Sequence, residues 1–355
     1  MRVFAVNSSP RPKGQSRTLL MLEGLLKGMR EEGAEVEAVN LREKEVRFCT
    51  GCYTCWSKTP GKCVQSDDMT KELLPKLLDA DMVILASPLY QYTVTASMKA
   101  FIERTLPAFL PYLDQSQGAV YHPLRGKFPA VVMLSVAGNP GMEVFHQLSG
   151  WANYLFGKNG RQPGVNLAAE IYRTSSQMMI FMAGKLEDIL NATEQAGREL
   201  VLEGRVKPET MSLVQQPLDK NATVLEMANL SWHSLVDAGL TPAQFERQGR
   251  APRPDSLKTL MTILQIGFNP QQAVGREGIL QFNFTGEVTG SCYFKVADGK
   301  IEAFEGKAGK PDLKVDAAFE VWADIIAGKL EGAQALFDGK YRVEGDIGLM
   351  NMFGK

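Results

Sequence analysis

The chain opens on a short apolar run, Val3-Phe4-Ala5-Val6, and from 2 to 172 it alternates between strand-like and helix-like spacing of its apolar positions. Leu19, Leu22, Leu26 and Met29 fall on one face of a helix over 16–31, with Gly33 placed to end it in a left-handed turn. Residues 35–39 alternate as a second strand. Asp68 reads as the N-cap of a helix buried through Leu73, Leu74, Leu77 and Leu78. The runs 82–86 and 129–134 are continuously apolar, as central parallel strands covered on both faces must be, and 165–171 predicts a fifth strand. Between the third and fourth strands, 95–105 carries Met98, Phe101 and Ile102 on one side of a helix. Five strands interleaved with helices predict an α/β, doubly wound, parallel five-stranded sheet, whose ligands gather at the carboxyl ends of the strands where strand order reverses.

The pattern then changes. Residues 173–254 hold two amphipathic stretches. One spans 178–202, with Ile180, Met182, Leu186, Ile189 and Leu190. The other spans 223–238, with Met227, Leu230, Trp232 and Leu235. Both read as scaffolding on the first domain or as part of a dimer interface. Gly249-Arg-Ala-Pro-Arg-Pro-Asp255 reads as a linker. Beyond it come a helix over 257–266, strands over 278–283, 290–296 and 300–306 with a tight turn at Ala297-Asp298-Gly299, a strand near 314–315, a helix over 318–326 and a last helical turn over 333–337. This is the α+β layout of a smaller domain. The predicted limits are 1–172, a helical extension and linker over 173–254, and 255–355.

Composition narrows the function. A formal net charge of −1 over 355 residues gives no electrostatic reason to expect nucleic acid or an anionic membrane surface. No stretch is apolar for long enough to span a bilayer, and the first residues carry no leader-like pattern, so a cytoplasmic protein with no integral membrane segment is expected. Four of the five cysteines, Cys49, Cys52, Cys55 and Cys63, fall in one stretch, and such clustering in a reducing compartment favours metal or redox chemistry over disulfides. Their spacing is compatible with an iron–sulfur cluster, a structural zinc, a redox-active thiol set or unliganded thiols. Cys292 lies within a predicted strand and reads as a buried hydrophobe. His122, His146 and His233 are isolated, with no partner at motif spacing.

Three loops at strand ends carry the remaining candidate chemistry. The first, 8–18, offers the hydroxyls of Ser9, Ser16 and Thr18, the amide of Gln15 and the charge of Arg11 at the start of a helix, where an anion is favoured. It has neither Gly-x-Gly-x-x-Gly nor Gly-Lys-Ser/Thr, so a single phosphate monoester fits it better than a dinucleotide or a nucleoside triphosphate. The second, Ser87-Pro88-Leu89-Tyr90-Gln91-Tyr92, offers a flat, stiff edge to a planar ring. The third, Ser135 to Pro140, has small residues, Gly138 among them, that let backbone approach a ligand. Each alone could be an ordinary turn; their coincidence at one edge of one sheet is what points to a site.

On Ser9-Pro10-Arg11, Cys49-x2-Cys52-x2-Cys55-x7-Cys63, Asp67-Asp68-Met69 and Ser87-Pro88-Leu89-Tyr90, residues 1–172 resemble the NADPH-dependent FMN reductase group of flavodoxin-like proteins, in particular its iron–sulfur flavoprotein branch. The resemblance implies FMN, with Ser9, Arg11, Gln15, Ser16 and Thr18 at its phosphate and Pro88, Leu89, Tyr90, Gln91, Gly138 and Asn139 at its ring. It also implies a 4Fe-4S cluster on Cys49, Cys52, Cys55 and Cys63, and a homo-oligomer. Residues 256–355 resemble the sterol carrier protein domain on Asp298-Gly299-Lys300, Pro311-Asp312-Leu313, Trp322 to Gly328, Phe337-Asp338-Gly339-Lys340 and Gly345-Asp346. That resemblance implies an apolar tunnel for a lipid-like ligand, lined by residues such as Phe282, Phe284, Phe304, Phe319, Trp322, Ile326 and Phe337. The expected function is an FMN-dependent oxidoreductase. It takes electrons from NAD(P)H or a donor protein and passes them to a quinone-like or other small-molecule acceptor, by way of the cluster. No dedicated catalytic acid or base is expected. The competing expectation is a lipid-binding or sensing protein with a flavin redox switch and zinc or free thiols at the cysteines.

Overall fold

The computed structural model describes residues 1–116, 119–157, 163–181, 183–219 and 221–353, apart from the side chains of 180, 181, 183, 184 and 221. Ile180 and Met182, placed on the first amphipathic stretch by their spacing, therefore fall outside the described side chains. The chain divides into two compact units, Met1–Asn221 and Ala222–Lys355.

The first unit runs β1 (Arg2–Asn7), α1 (Arg17–Glu31), β2 (Glu35–Asn40), α2 (Leu74–Asp79), β3 (Met82–Pro88), α3 (Ala96–Glu103), β4 (Asp114–Ser116), β5 (Ala119–Tyr121), β6 (Ala130–Val136), α4 (His146–Phe156), β7 (Leu167–Arg173), α5 (Ala183–Glu203) and α6 (Pro208–Val214). Strands β2-β1-β3-β6-β7 form one wholly parallel sheet, while β4 and β5 make a separate antiparallel hairpin. This is the flavodoxin-like strand order, and its switch point falls between β1 and β3. Because side chains alternate across a strand, the sheet feeds two cores. Phe4, Val6, Val83, Leu85, Val131 and Met133 pack against α2, α3 and α4. Val3, Ala5, Met82, Ile84, Val132 and Leu134 pack against α1, α5 and α6.

Two local expectations change. Asp68 makes no capping bond; it accepts from the Glu45 N–H at 2.8 Å, and the neighbouring Asp67 receives the Thr70 N–H at 3.2 Å at the head of a π-helical turn, Met69–Leu73, that leads into α2. The helix expected from 178 begins at Ala183, after a 3-10 turn over Met178–Phe181.

The second unit contains α7 (Asn221–Ala238) from Ala222 on, then α8 (Pro242–Arg247), α9 (Leu257–Ile266), β8 (Gly278–Thr285), β9 (Gly290–Ala297), β10 (Lys300–Glu305), β11 (Leu313–Ala318), α10 (Phe319–Ile326), α11 (Gly332–Phe337) and β12 (Tyr341–Gly345). Its sheet order is β10-β9-β8-β11-β12, with β8 and β11 the parallel pair. The β9–β10 turn is the expected one, with Asp298 and Gly299 both at positive φ (50° and 69°). Pro-rich 249–255 is held within this unit: the Arg253 N–H donates to Ser234 Oγ, and its guanidinium reaches Asp324 at 2.8 Å and Glu287 at 2.9 Å. On α7, Met227, Leu230 and Leu235 are buried, but Trp232 is 58% exposed, because it lies off the 224-227-230 stripe that faces the interior.

Candidate functional site: the cleft at the carboxyl edge of the sheet and the cysteine loop beside it

The carboxyl ends of β1, β3 and β6 open on one cleft, lined by Ser9, Arg11, Arg17, Thr18, Pro88, Leu89, Tyr90, Val136, Gly138, Ser176 and Gln177. Its polar end is built by the loop between β1 and α1. Ser8 is tied to β3 through its backbone N–H and hydroxyl, both on Ala86 O, and Asn7 Oδ1 accepts the Ser9 N–H at 3.1 Å. Ser16 caps α1 by accepting the Leu19 N–H at 3.0 Å, and its hydroxyl donates to Ser9 Oγ at 2.8 Å. Arg17 and the buried Thr18, in the first turn of α1, line the cleft, and the dipole at that end of the helix favours an anion. Arg11 and Arg17 supply two guanidiniums; Arg17 is positioned by donating to Gly14 O at 3.2 Å.

The opposite edge is the loop after β3. The Leu89 N–H donates to Val136 O at 2.9 Å, joining the ends of β3 and β6. Tyr90 and Thr93 exchange backbone hydrogen bonds of 2.9 and 3.1 Å around Gln91 and Tyr92, whose φ values are +48° and +62°. Two successive left-handed residues make a type I′ turn, which glycine and asparagine normally occupy, so this turn holds strain at the edge of the cleft. Ser87 Oγ accepts the Thr95 N–H at 3.0 Å, and Thr95 caps α3, so the loop is pinned at both ends. The third edge joins the ends of β6 and β7: Ser176 N–H donates to Ala137 O and Ser175 N–H to Asn139 O, each at 2.9 Å.

Seven of the residues expected around a flavin therefore meet in this cleft: Ser9, Arg11, Thr18, Pro88, Leu89, Tyr90 and Gly138. Gln15, Gln91 and Asn139 are exposed beside it, and the Ser16 hydroxyl is spent on the cap. Arg17, Val136, Ser176 and Gln177 line it without having been anticipated. Arg17 lies inside the 8–18 loop, between Ser16 and Thr18; Ser176 and Gln177 lie after the last strand of this sheet, where no motif draws attention. The donor set fits FMN: hydroxyls, helix N–H groups and guanidiniums at one end suit a phosphate, and Pro88 to Tyr90 offer a flat edge to a ring.

The cysteine loop lies between β2 and α2. Cys55 is buried, Cys49 and Cys63 are half-buried and Cys52 is exposed. Burial, then the charges of Cys63, Cys49 and Cys52, raise the Cys55 pKa. The Thr54 hydroxyl, which donates to the Cys52 sulfur at 3.4 Å, lowers the pKa of that thiol. Among the described residues no three His, Cys, Asp or Glu side chains converge as a metal-binding group. The set has the chemistry of a thiolate cage, and binding a cluster would require the four thiols to draw together.

The neck of this loop is a buried ion pair. Arg104, at the end of α3, makes a bidentate contact with Asp67 at 2.6 and 2.9 Å, with both side chains at most 1% exposed. Asp67 also accepts the Arg47 N–H at 3.0 Å. Burial alone would raise the Asp67 pKa, but hydrogen bonds from Arg104, Arg47 and Thr70 outweigh it and hold the carboxyl at about 2. Trp56, inside the loop, anchors to Leu106 O at 3.1 Å and packs on the His122 ring with centroids 4.5 Å apart.

In the second unit the tunnel residues expected from the resemblance divide. Phe282, Phe284, Phe319 and Trp322 are buried together in the core, whereas Phe337 is 88% exposed on α11 and stands away from any interior. Cys292 is fully buried, and burial pushes its thiol up to about 12, so it behaves as the expected hydrophobe. No helix among the described residues is long and apolar enough to cross a membrane.

Comparison with known proteins agrees with this division. The family model of NADPH-dependent FMN reductases matches residues 1–169, and that of the SCP-2 sterol transfer family matches residues 269–355. An iron–sulfur flavoprotein of Methanosarcina thermophila is 32% identical over 201 residues, 55% of this chain and 98% of that protein. One of Archaeoglobus fulgidus is 46% identical over 107 residues, which are 30% of this chain and 46% of that protein. An FMN-dependent NADH:quinone oxidoreductase of an Exiguobacterium species is 27% identical over 128 residues, 34% of this chain and 61% of that protein. The matched stretch is thus less than two thirds of the Archaeoglobus and Exiguobacterium proteins and nearly all of the Methanosarcina one. The chain belongs to the iron–sulfur flavoprotein family, with an NADPH-dependent FMN reductase domain over residues 1–169 and an SCP-2 domain over residues 269–355.

Proposed function

We propose that this protein is an FMN-dependent oxidoreductase that accepts electrons from NAD(P)H and delivers them to a quinone-like acceptor, with a 4Fe-4S cluster on Cys49, Cys52, Cys55 and Cys63 and a lipid-like ligand in the C-terminal domain. The observation that carries the reading is the cleft itself: an anion-binding end at the start of α1 and a flat edge at Pro88–Tyr90, joined at the switch point of the sheet. FMN, when bound, supplies hydride acceptance from reduced nicotinamide and release of electrons singly. The residues of this chain bind and orient it. Thr18, Ser9 and the first N–H groups of α1, with Arg11 and Arg17, would hold the phosphate dianion. Leu89, fixed to β6 through Val136 O, and Tyr90, fixed to Thr93, would set the ring edge, and Gly138 would allow backbone to approach it. The relatives' names support the cluster and the quinone, and the SCP-2 match together with an aromatic interior supports the apolar ligand.

The reading is tested by steady-state oxidation of NADH and NADPH with a water-soluble benzoquinone, using FMN-loaded full-length protein. Turnover that needs FMN supports it. A flavin-loaded protein that neither donor reduces in the absence of oxygen contradicts it. Displacement of a fluorescent fatty acid tests the C-terminal domain separately.

A further inference from the structure

The guanidinium of Arg104 does more than neutralise Asp67. Nη1 donates to Arg47 O at 2.7 Å and contacts Gln65 Oε1 at 3.4 Å, and the amide of Gln65 donates to Phe48 O at 2.8 Å. Arg47 lies two residues before Cys49, and Gln65 two residues after Cys63. One side chain thus fastens both ends of the loop that carries all four thiols. Nη2 is spent on Asp67 and Thr70, at 2.9 Å each. The remaining donor, Nε–H, is buried and has no acceptor. A buried N–H without a partner is rare in native proteins, so its surroundings call for an acceptor. Cys63 stands two residues before Gln65, whose side chain already reaches this guanidinium, so its sulfur is the candidate acceptor.

We propose that Arg104 is a positioning residue of the cysteine loop: it closes the neck through Arg47, Gln65 and Asp67, and it donates Nε–H to the Cys63 sulfur when that sulfur serves as a cluster ligand. The inference rests on the four cysteines being cluster ligands. A hydrogen bond to a ligating thiolate withdraws charge from the cluster and favours its reduced form. Because the Arg104–Asp67 pair is neutral as a whole, the effect comes from the directed N–H and not from net charge nearby.

The test compares wild-type protein with Arg104→Lys, which keeps a cation against Asp67 but has no N–H at the Nε position, all purified without oxygen. Iron and acid-labile sulfide per chain, FMN per chain and the cluster midpoint potential are measured. The expected result is wild-type FMN content in both proteins. In R104K the cluster is either lost or shifted to a lower potential, by about tenfold in its reduction equilibrium, as one charge-assisted hydrogen bond would give. If R104K loses FMN as well, the neutral pair Arg104→Gln with Asp67→Asn replaces it, with the same readouts. A wild-type cluster whose content and potential are unchanged in the variant that retains FMN overturns the donor role alone. Wild-type protein without iron and sulfide overturns the cluster reading, and the donor role with it.

Discussion

At the scale of single residues, Asp67 sets a sharp pH dependence. Its carboxyl titrates near 2 in the folded protein against 3.8 ordinarily, so the folded state holds it ionised more strongly than the unfolded chain does. The stability it contributes is present above pH 4 and is lost as pH falls from about 4 to 2; the shift corresponds to about 2 kcal/mol. Thermal unfolding followed across this range should show the loss in the wild type, and Asp67→Asn should flatten it. At neutral pH that variant leaves Arg104 buried without its counterion, and it should lower stability by about 3–5 kcal/mol. At the cleft, Thr18→Ala and Arg11→Ala should each weaken FMN binding by about tenfold, through loss of one charge-assisted bond, with little change in melting temperature. Fluorescence titration against circular dichroism separates the two effects. The pair 67–104 could not be read from the chain, since nothing in the spacing of two residues 37 apart says that they meet. The hydroxyls of Ser9 and Thr18 could be read, because a strand end followed by a helix start fixes where they point. Asp68 was given a role that falls to Asp67: both suit a cap, and only the geometry of the turn chooses.

At the scale of elements, α1 and α5 cross backbone against backbone at two glycines. A β-carbon on Gly28 would stand 1.8 Å from Glu194 O, and one on Gly197 would stand 2.1 Å from Leu25 O. Backbone meets backbone there, and a flexible side chain cannot step aside. Gly28→Ala should therefore push α5 from the sheet and cost about 1–3 kcal/mol, read as a lower urea midpoint at unchanged m-value. The strands and most helices of this unit were legible because both periodicities are strong: 82–86 is apolar throughout, and α1 carries its stripe and a Ser16 cap. The turn at Tyr90–Thr93 was not, because its two left-handed residues are Gln91 and Tyr92, where sequence rules look for glycine or asparagine. Replacing Gln91 with Gly should relieve strain and raise stability by a few tenths to about 1 kcal/mol, seen in the melting temperature. The hairpin β4–β5 and the edge strand β12 were missed because each is short.

At the scale of the whole molecule, two units with separate cores carry two kinds of chemistry. The first presents a polar, strained cleft and a loop of thiols at one edge of its sheet. The second buries Phe284, Phe294 and Phe319 in a core with Phe282 and Trp322. Division of labour was legible from the change in pattern after residue 172, while Ser176 and Gln177 reach the cleft only because β7 returns the chain to the same edge. The measurement that tests the account most directly compares FMN with riboflavin in titrations of the flavin-free, full-length protein. The cleft assigns the phosphate a seat at the start of α1, so FMN should bind at least about 100-fold more tightly than riboflavin, with most of the difference gone in a Thr18→Ala, Arg11→Ala double variant. Equal affinity for the two flavins, or an FMN preference untouched by the double variant, would contradict it.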